Sequence, residues 1–361
     1  MNRPGGQGKG VHKDNRVVLC GYYGYGNGGD EALLAALLQM LPSQVSPLVL
    51  SGNPALTTQL HQVEACDRYQ PLDVLRGLGT SSGFIWGGGS LIQDATSGFS
   101  PFYYAGLMAL SQKLGLKTVA WAQGIGPLYR SRTRWLAEQV FRGCTAVSVR
   151  DGAALELLNQ WHIPALQAAD PVWALAASPV PALADLPLPR VAVVLRAHPQ
   201  LTPSRLTALA DGLKSFQAAT GAFVLLVPFQ ASQDLEISAY LHRLLPEVSQ
   251  IIQLEDPRQL KGVFRGVEMT IAMRLHGLIM AAAEGCRCFA LSYDPKVSQL
   301  MAALQFPGWL LTDIPATGAE VCQTWLEHYA NGSPLTSDQI AALVDQALIH
   351  RDLLAEVFLP K

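Results

Sequence analysis

Charge is scarce in this sequence. Charged residues make up 15% of the 361, where ordinary domains carry about 25%. Acidic and basic residues nearly balance at a formal net charge of -2, and no basic tail is present. Such a chain offers nucleic acid no electrostatic footprint, so nucleic-acid partners are excluded. Cysteine is sparse and poorly spaced for a metal. Of Cys20, Cys66, Cys144, Cys286, Cys288 and Cys322, only Cys286 and Cys288 lie close together. A Cys-x-Cys pair without a second pair or spaced histidines is a poor zinc site, and no metal is expected. Most of these cysteines have apolar neighbours, as buried free thiols do in a reducing compartment. No uncharged apolar run reaches the roughly 18–20 residues of a membrane span. The Gly-rich polar start, residues 1–15, is not followed by the apolar core of a signal peptide. A cytoplasmic protein without a transmembrane segment is expected. Peripheral contact with the inner face of a membrane stays open.

Apolar residues reach 49%, enough for two sizeable cores, and the length suits two domains. After the leader at 1–15, short β-like runs alternate with helical patterns. Strands are expected at 16–20, 47–51, 83–86, 117–122 and 146–149. Helices are expected at 31–41, 102–114, 133–142 and 151–160. The run 174–189 then interrupts the pattern with Pro179, Pro181, Pro187 and Pro189 among small residues. That composition reads as an interdomain linker at 179–189. The alternation restarts with strands at 190–195, 223–229, 251–254, 267–272 and 288–292, and with helices between them. The expected domains are 16–178 and 190–335. A last helix in 336–361 is expected to pack across their junction. The fold class is α/β, two Rossmann-like domains facing a cleft, in a glycosyltransferase-B-like arrangement.

Three strand-to-helix joints are glycine loops. In Gly21-Tyr22-Tyr23-Gly24-Tyr25-Gly26-Asn27-Gly28-Gly29-Asp30-Glu31, the glycines at 24, 26 and 29 formally satisfy a dinucleotide fingerprint. Asp30 and Glu31 oppose that reading, because acids at a helix start would repel a pyrophosphate. The next strand also ends in Ser51-Gly52-Asn53, with no acid for a ribose. The second loop is Trp86-Gly87-Gly88-Gly89-Ser90, with Asp94 close behind. The third is Gln123-Gly124-Ile125-Gly126-Pro127. Bare glycine amides can wrap an anion or a sugar. Asp94 could take a proton from a sugar hydroxyl; the alternative makes it a helix cap or surface acid. No organic cofactor is required.

Met273-Arg274-Leu275-His276-Gly277 joins a strand to a helix. A cation at a helix N-terminus is unfavourable unless an anion arrives. Arg274 has the fork geometry for phosphate or carboxylate, and His276 can carry a proton near neutral pH. The expectation is a cationic socket left unsatisfied until a small dianion enters. The alternative pairs Arg274 with a buried acid and makes His276 a satisfied core histidine. Arg196 ends the first strand of the second half, and Lys296 lies just past another strand end. Both could add charge to the same site, and both could equally be surface residues.

Taken in order, these segments resemble the polysaccharide pyruvyl transferase family. Val147-Ser148-Val149-Arg150-Asp151, Ala169-Asp170-Pro171 and Tyr293-Asp294-Pro295-Lys296-Val297 extend the likeness to most of the chain. The resemblance implies an enzyme that moves the pyruvyl group of phosphoenolpyruvate onto sugar hydroxyls as a ketal. The acceptor would be a polysaccharide or a lipid-linked oligosaccharide precursor. It further implies that Arg274, His276 and Arg196 hold the donor, with Lys296 adding charge. His276 would serve as the acid. Gly26, Asn27, Gly88, Gly89 and Ser90 would line the acceptor side. His198 stands where the family pattern leads one to expect an apolar or aromatic residue. Two rivals share the architecture. One is a sugar-nucleotide glycosyltransferase, for which Glu284 could hold a ribose. The other is a non-catalytic glycan-binding protein.

Overall fold

The computed structural model describes residues 15–94 and 99–359. The chain forms two compact units. The first takes in the described residues up to Tyr23, then Met40–Ala168, and the chain from His350 onward. The second comprises Gly24–Gln39 and Ala169–Ile349.

The first unit is built in chain order from β1 (Arg16–Cys20), followed across the other unit's α1 (Gly28–Met40) by β2 (Ser46–Ser51), α2 (Pro54–His61), β3 (Glu64–Asp67) and α3 (Pro71–Gly79). Then come β4 (Gly83–Trp86), β5 (Gly89–Ile92), α4 (Ser100–Lys113) and β6 (Lys117–Ile125). The unit continues with α5 (Ser131–Arg142), β7 (Ala146–Val149), α6 (Gly152–Gln160) and β8 (Leu166–Gln167). Its sheet runs β3-β2-β1-β4-β6-β7-β8, with β5 paired to β6, and every pairing is parallel. Parallel strands are covered on both faces, which is why Val17–Cys20 and Phe84–Trp86 are apolar without alternation and fully buried.

The second unit contains β9 (Arg190–Val194), α7 (Pro203–Thr220), β10 (Phe223–Leu226), α8 (Ala231–Leu244) and β11 (Ser249–Ile251). These are followed by α9 (Pro257–Gly262), β12 (Met269–Ala272), α10 (Leu275–Ala283), β13 (Arg287–Ser292), α11 (Pro295–Leu304) and β14 (Gly308–Leu310). Two helices, α12 (Gly318–Asn331) and α13 (Ser337–Phe358), end the chain. The sheet order is β11-β10-β9-β12-β13-β14, again all parallel. The chain builds outward from β9 on one side and then returns to the other. Ligands bind at the carboxyl ends of strands where such an order reverses, here between β9 and β12.

Many helices start on proline preceded by a side chain that accepts a backbone amide. Asn53, Thr202, Asp256 and Asp294 cap α2, α7, α9 and α11 in this way. Much of the proline content is therefore helix punctuation. The run at 179–189, expected as a linker, lies inside the second unit. Val180 and Leu183 are buried there. The Arg190 guanidinium donates to the carbonyls of Leu183, Leu186 and Pro187. Composition alone suggested an interdomain linker; the arginine folds the run onto β9. Within the first unit, the end of α13 is anchored by buried His350. Its Nδ1 lies 2.9 Å from Ser148 Oγ, and Trp121 Nε1 donates to its carbonyl at 3.1 Å.

Candidate functional site

Four loops leave the carboxyl edge of the second unit's sheet from adjacent strands. The loop after β9 carries Arg196. Gln233 and Asp234 stand in the first turn of α8, which follows β10. Arg274 caps α10 after β12, and Tyr293 follows β13. Asp234 is fully buried. Its Oδ2 accepts the Phe229 and Gln230 amides at 2.9 and 2.8 Å. Arg274 closes on the same carboxylate, with Nη2 to Oδ1 at 2.6 Å and Nε to Oδ2 at 3.2 Å.

This corrects the expected empty socket. Arg274 is neutralised by an internal acid, and the conflict at the start of α10 is resolved within the protein. Its surplus of positive charge lies one strand over. Arg196 Nη2 donates to Gln233 Oε1 at 2.6 Å, and Nη1 donates to Tyr293 Oη at 2.9 Å. The guanidinium also lies 5.1 Å from the Tyr293 ring centroid. These partners are neutral, and among the described residues no carboxylate is within ion-pair distance of Arg196. Arg274 Nη2 reaches the same Gln233 oxygen at 3.4 Å. Two guanidiniums thus flank one amide with a single carboxylate between them. His198, the departure from the family pattern, packs its ring 4.7 Å from that of Tyr293. Burial, and then Arg196, depress its pKa against the opposing pull of Asp294. Lys296, half-buried, stands in the first turn of α11, where its amide is capped by Asp294.

His276 sits in the first turn of α10, with Nε2 3.4 Å from Asp170 Oδ2. Asp170 is fixed in turn. Its Oδ1 accepts the Val172 amide at 3.0 Å. The following turn, Pro171–Ala174, is gripped by Lys261, whose Nζ donates to the carbonyls of Val172, Trp173 and Leu175 at 3.1, 3.0 and 2.7 Å. Burial lowers the Lys261 pKa to about 8, although Glu284 opposes the shift. On its other side the His276 ring packs against Gly29. A methyl group there would overlap Nδ1. The Gly28 amide donates to the Phe229 carbonyl at 2.7 Å. The glycine loop and the Arg-Leu-His segment therefore meet within one unit.

That meeting gives the glycines a packing reason. Gly24 and Gly26 take positive φ angles of 81° and 65°, which side chains resist. Asn27 Oδ1 accepts the Gly29 amide at 3.1 Å, starting α1. Glu31 does not simply face solvent at the helix start. It is buried and accepts the Gly24 amide at 2.8 Å. Burial raises its pKa to about 7, outweighing the loop amides that stabilise the anion.

Gly88, Gly89, Ser90 and Asp94 belong to the first unit. Gly89 needs its glycine at φ 129°. Buried Gln123 donates to the carbonyls of Gly87 and Trp121, tying the second glycine loop to the third. Ser90 Oγ is buried without a hydrogen-bond partner among the described residues. Asp94 proves to be an anchor rather than the expected base. Its two oxygens accept the Tyr129 and Arg130 amides at 2.8 and 2.9 Å. Burial works to raise its pKa, but these bonds outweigh it and hold the carboxyl below its ordinary value. A carboxylate so satisfied is a poor proton acceptor. Glu284, the ribose candidate of the rival reading, is taken by Arg265 at 2.8 Å and lies 4.0 Å from Lys261.

The family model for polysaccharide pyruvyl transferase matches residues 27–295. The chain belongs to that family. Membership makes it a transferase of polysaccharide biosynthesis. No curated protein matches it significantly. Among solved structures it is similar to the UDP-GlcNAc 2-epimerase of Methanocaldococcus jannaschii, at 10% identity and a TM-score of 0.66 over 95% of this chain and 99% of that one. The epimerase of Neisseria meningitidis, solved with UDP-GlcNAc, matches at 8% identity and 0.64 over 94% and 100%. A UDP-glucosyltransferase from Polygonum tinctorium matches at 10% and 0.59 over 98% and 100%. These likenesses establish the fold, two Rossmann-like sheets of glycosyltransferase-B-like type. No helix among the described residues is long and apolar enough to cross a membrane.

Proposed function

We propose that the chain transfers the pyruvyl group of phosphoenolpyruvate onto a sugar of a cell-surface polysaccharide or its lipid-linked precursor. The observation that carries this reading is the Arg196–Gln233–Arg274 arrangement, two guanidiniums against one carboxylate at the switch point of a family member's sheet. Phosphoenolpyruvate brings a phosphate and a carboxylate and needs such an excess of positive charge. Arg196 is the principal donor-binding cation, supported by Lys296. Arg274 is held in plane by Asp234 and presents the edge that the ion pair leaves unused.

The chemistry begins when His276, oriented by Asp170, gives a proton to the methylene carbon, which becomes a methyl group. The central carbon turns electrophilic, and a sugar hydroxyl bonds to it with loss of its proton. The bond from that carbon to the phosphate oxygen breaks, and inorganic phosphate leaves. A second hydroxyl of the same sugar closes the ketal; of the two hydroxyl protons, one restores the His276 imidazolium and the other leaves on the phosphate. Gly26 and Asn27, in the same unit as His276, are assigned to the acceptor. The free cysteines suit work in the cytoplasm, where the donor is made.

The test is phosphate release from phosphoenolpyruvate with a panel of acceptor glycans, with mass spectrometry of the product. Wild type should add one pyruvyl group, and Arg196→Ala and His276→Ala should abolish turnover while staying folded. Full product formation by both variants would rule the assignment out.

A further inference from the structure

We propose that the carboxyl edge of the first unit's sheet is a docking face for an anionic membrane surface. Strands β3, β5 and β6 are parallel members of one sheet, so α3, α4 and α5 all begin at that edge. Their opening residues are large, apolar and exposed. Phe99 is 87% exposed, Tyr129 77% and Trp135 63%, and Tyr69, Leu72 and Phe102 are exposed beside them.

Two contacts join these residues into one rim. The Arg68 guanidinium lies 4.7 Å from the Tyr103 ring centroid, and Tyr103 Oη donates to the Arg68 carbonyl at 3.3 Å. That ties Tyr69 and the start of α3 to the first turn of α4. Asp94, just past β5, holds the Tyr129 and Arg130 amides and so fixes the start of α5. Helices α4 and α5 pack together directly.

Charge chooses the partner. In Tyr129-Arg130-Ser131-Arg132-Thr133-Arg134-Trp135, three exposed arginines lie between two exposed aromatics, Tyr129 and Trp135. Among the described residues none lies within ion-pair distance of a carboxylate. Arg134 instead donates to the neutral Gln160 at 3.1 Å. A helix N-terminus is the wrong end for cations, and their internal partners among the described residues are few: Asp94 attracts Arg130, and Arg134 lies 6.0 Å from the Trp161 ring centroid. Tyrosine and tryptophan combine an apolar ring with a polar tip, the properties that place them at the headgroup level of a bilayer. Arginines flanked by such rings match an anionic lipid surface. The inference stands apart from the pyruvyl chemistry, because none of these residues belongs to the donor site.

The experiment is co-sedimentation of the full chain with phosphatidylcholine vesicles, with and without phosphatidylglycerol, at low and high salt. Wild type should pellet with the phosphatidylglycerol vesicles and be released by salt. Each arginine near such a surface contributes roughly a fivefold gain in binding, so Arg130→Gln, Arg132→Gln and Arg134→Gln combined should weaken it on the order of a hundredfold. Tyr129→Ala with Trp135→Ala should also release the protein. All five positions are exposed, and circular dichroism should show both variants folded. Three results would each overturn the proposal: wild type left in the supernatant, equal pelleting with pure phosphatidylcholine, or undiminished binding by the arginine variant.

Discussion

Asp234 holds Arg274 through both carboxylate oxygens, and it does so from a position with no exposed surface. The same carboxylate accepts two backbone amides at the start of α8. Removing it leaves a buried guanidinium without a counter-charge, which costs about 3–5 kcal/mol. Asp234→Ala should lose that much in urea unfolding. Asp234→Ala combined with Arg274→Met should recover a large part of it, because no charge is then stranded. Additive losses in the two single variants and the double variant would show that the pair is not coupled.

Glu31 makes stability depend on pH in an unusual direction. Its folded pKa is about 7, against about 4.3 in an unfolded chain. Between those values the folded protein binds the extra proton. This contribution is therefore complete below the unfolded value and is lost as pH rises through about 7. It amounts to on the order of 3 kcal/mol. Glu31→Gln cannot ionise but keeps an oxygen for the Gly24 amide. The stability difference between variant and wild type should grow from pH 4 to pH 8 in favour of the variant. A difference that stays flat across that range would mean that Glu31 titrates normally.

The sequence made the site's address legible and left its wiring hidden. Glycines after β1 and β4, and Arg-Leu-His after β12, announce strand-to-helix joints through local pattern alone. The partner of Arg274 lies 40 positions upstream, in a polar stretch where an acid at a helix start reads as an ordinary cap. Only the strand order, which sets β10 two places from β12, brings the two together. Asp170 was visible within Ala-Asp-Pro but carried no chemistry of its own until His276 lay beside it. Lys261 reads as a surface lysine on a short helix. Strand β3 and helix α2 are short and barely show a period, whereas Leu72, Val74, Leu75 and Leu78 give α3 an apolar stripe that the sequence does carry. Strand β11 lies at Ser249–Ile251, a little ahead of its expected place.

Lys261 links packing to chemistry. Its three carbonyl acceptors all belong to the turn that follows Asp170. Lys261→Met keeps the buried stem but leaves those carbonyls unpaired, at a cost of about 3 kcal/mol. If Asp170 orients His276, the same change should cut kcat more than KM, and Asp170→Asn should do likewise with little loss of stability. The measurements are urea unfolding and steady-state phosphate release. Wild-type kcat in both variants would remove Asp170 from the reaction.

The last prediction sets two helical glycines against each other. Alanine in a helix interior is favoured over glycine by about 1 kcal/mol. At Gly106, exposed within α4, an added Cβ meets nothing within 4 Å. Gly106→Ala should therefore raise stability by about 0.4–1 kcal/mol and leave turnover unchanged. At Gly29 the same methyl meets the His276 ring, which Asp170 holds from the other side. The ring or the start of α1 must shift, and overpacking of this kind costs about 1–3 kcal/mol, more than the helix gains. Gly29→Ala should lower the melting temperature and depress turnover together, because the displaced group is the proposed acid. If Gly29→Ala proved as stable and active as Gly106→Ala, the glycine loop would not be the wall against which His276 is set.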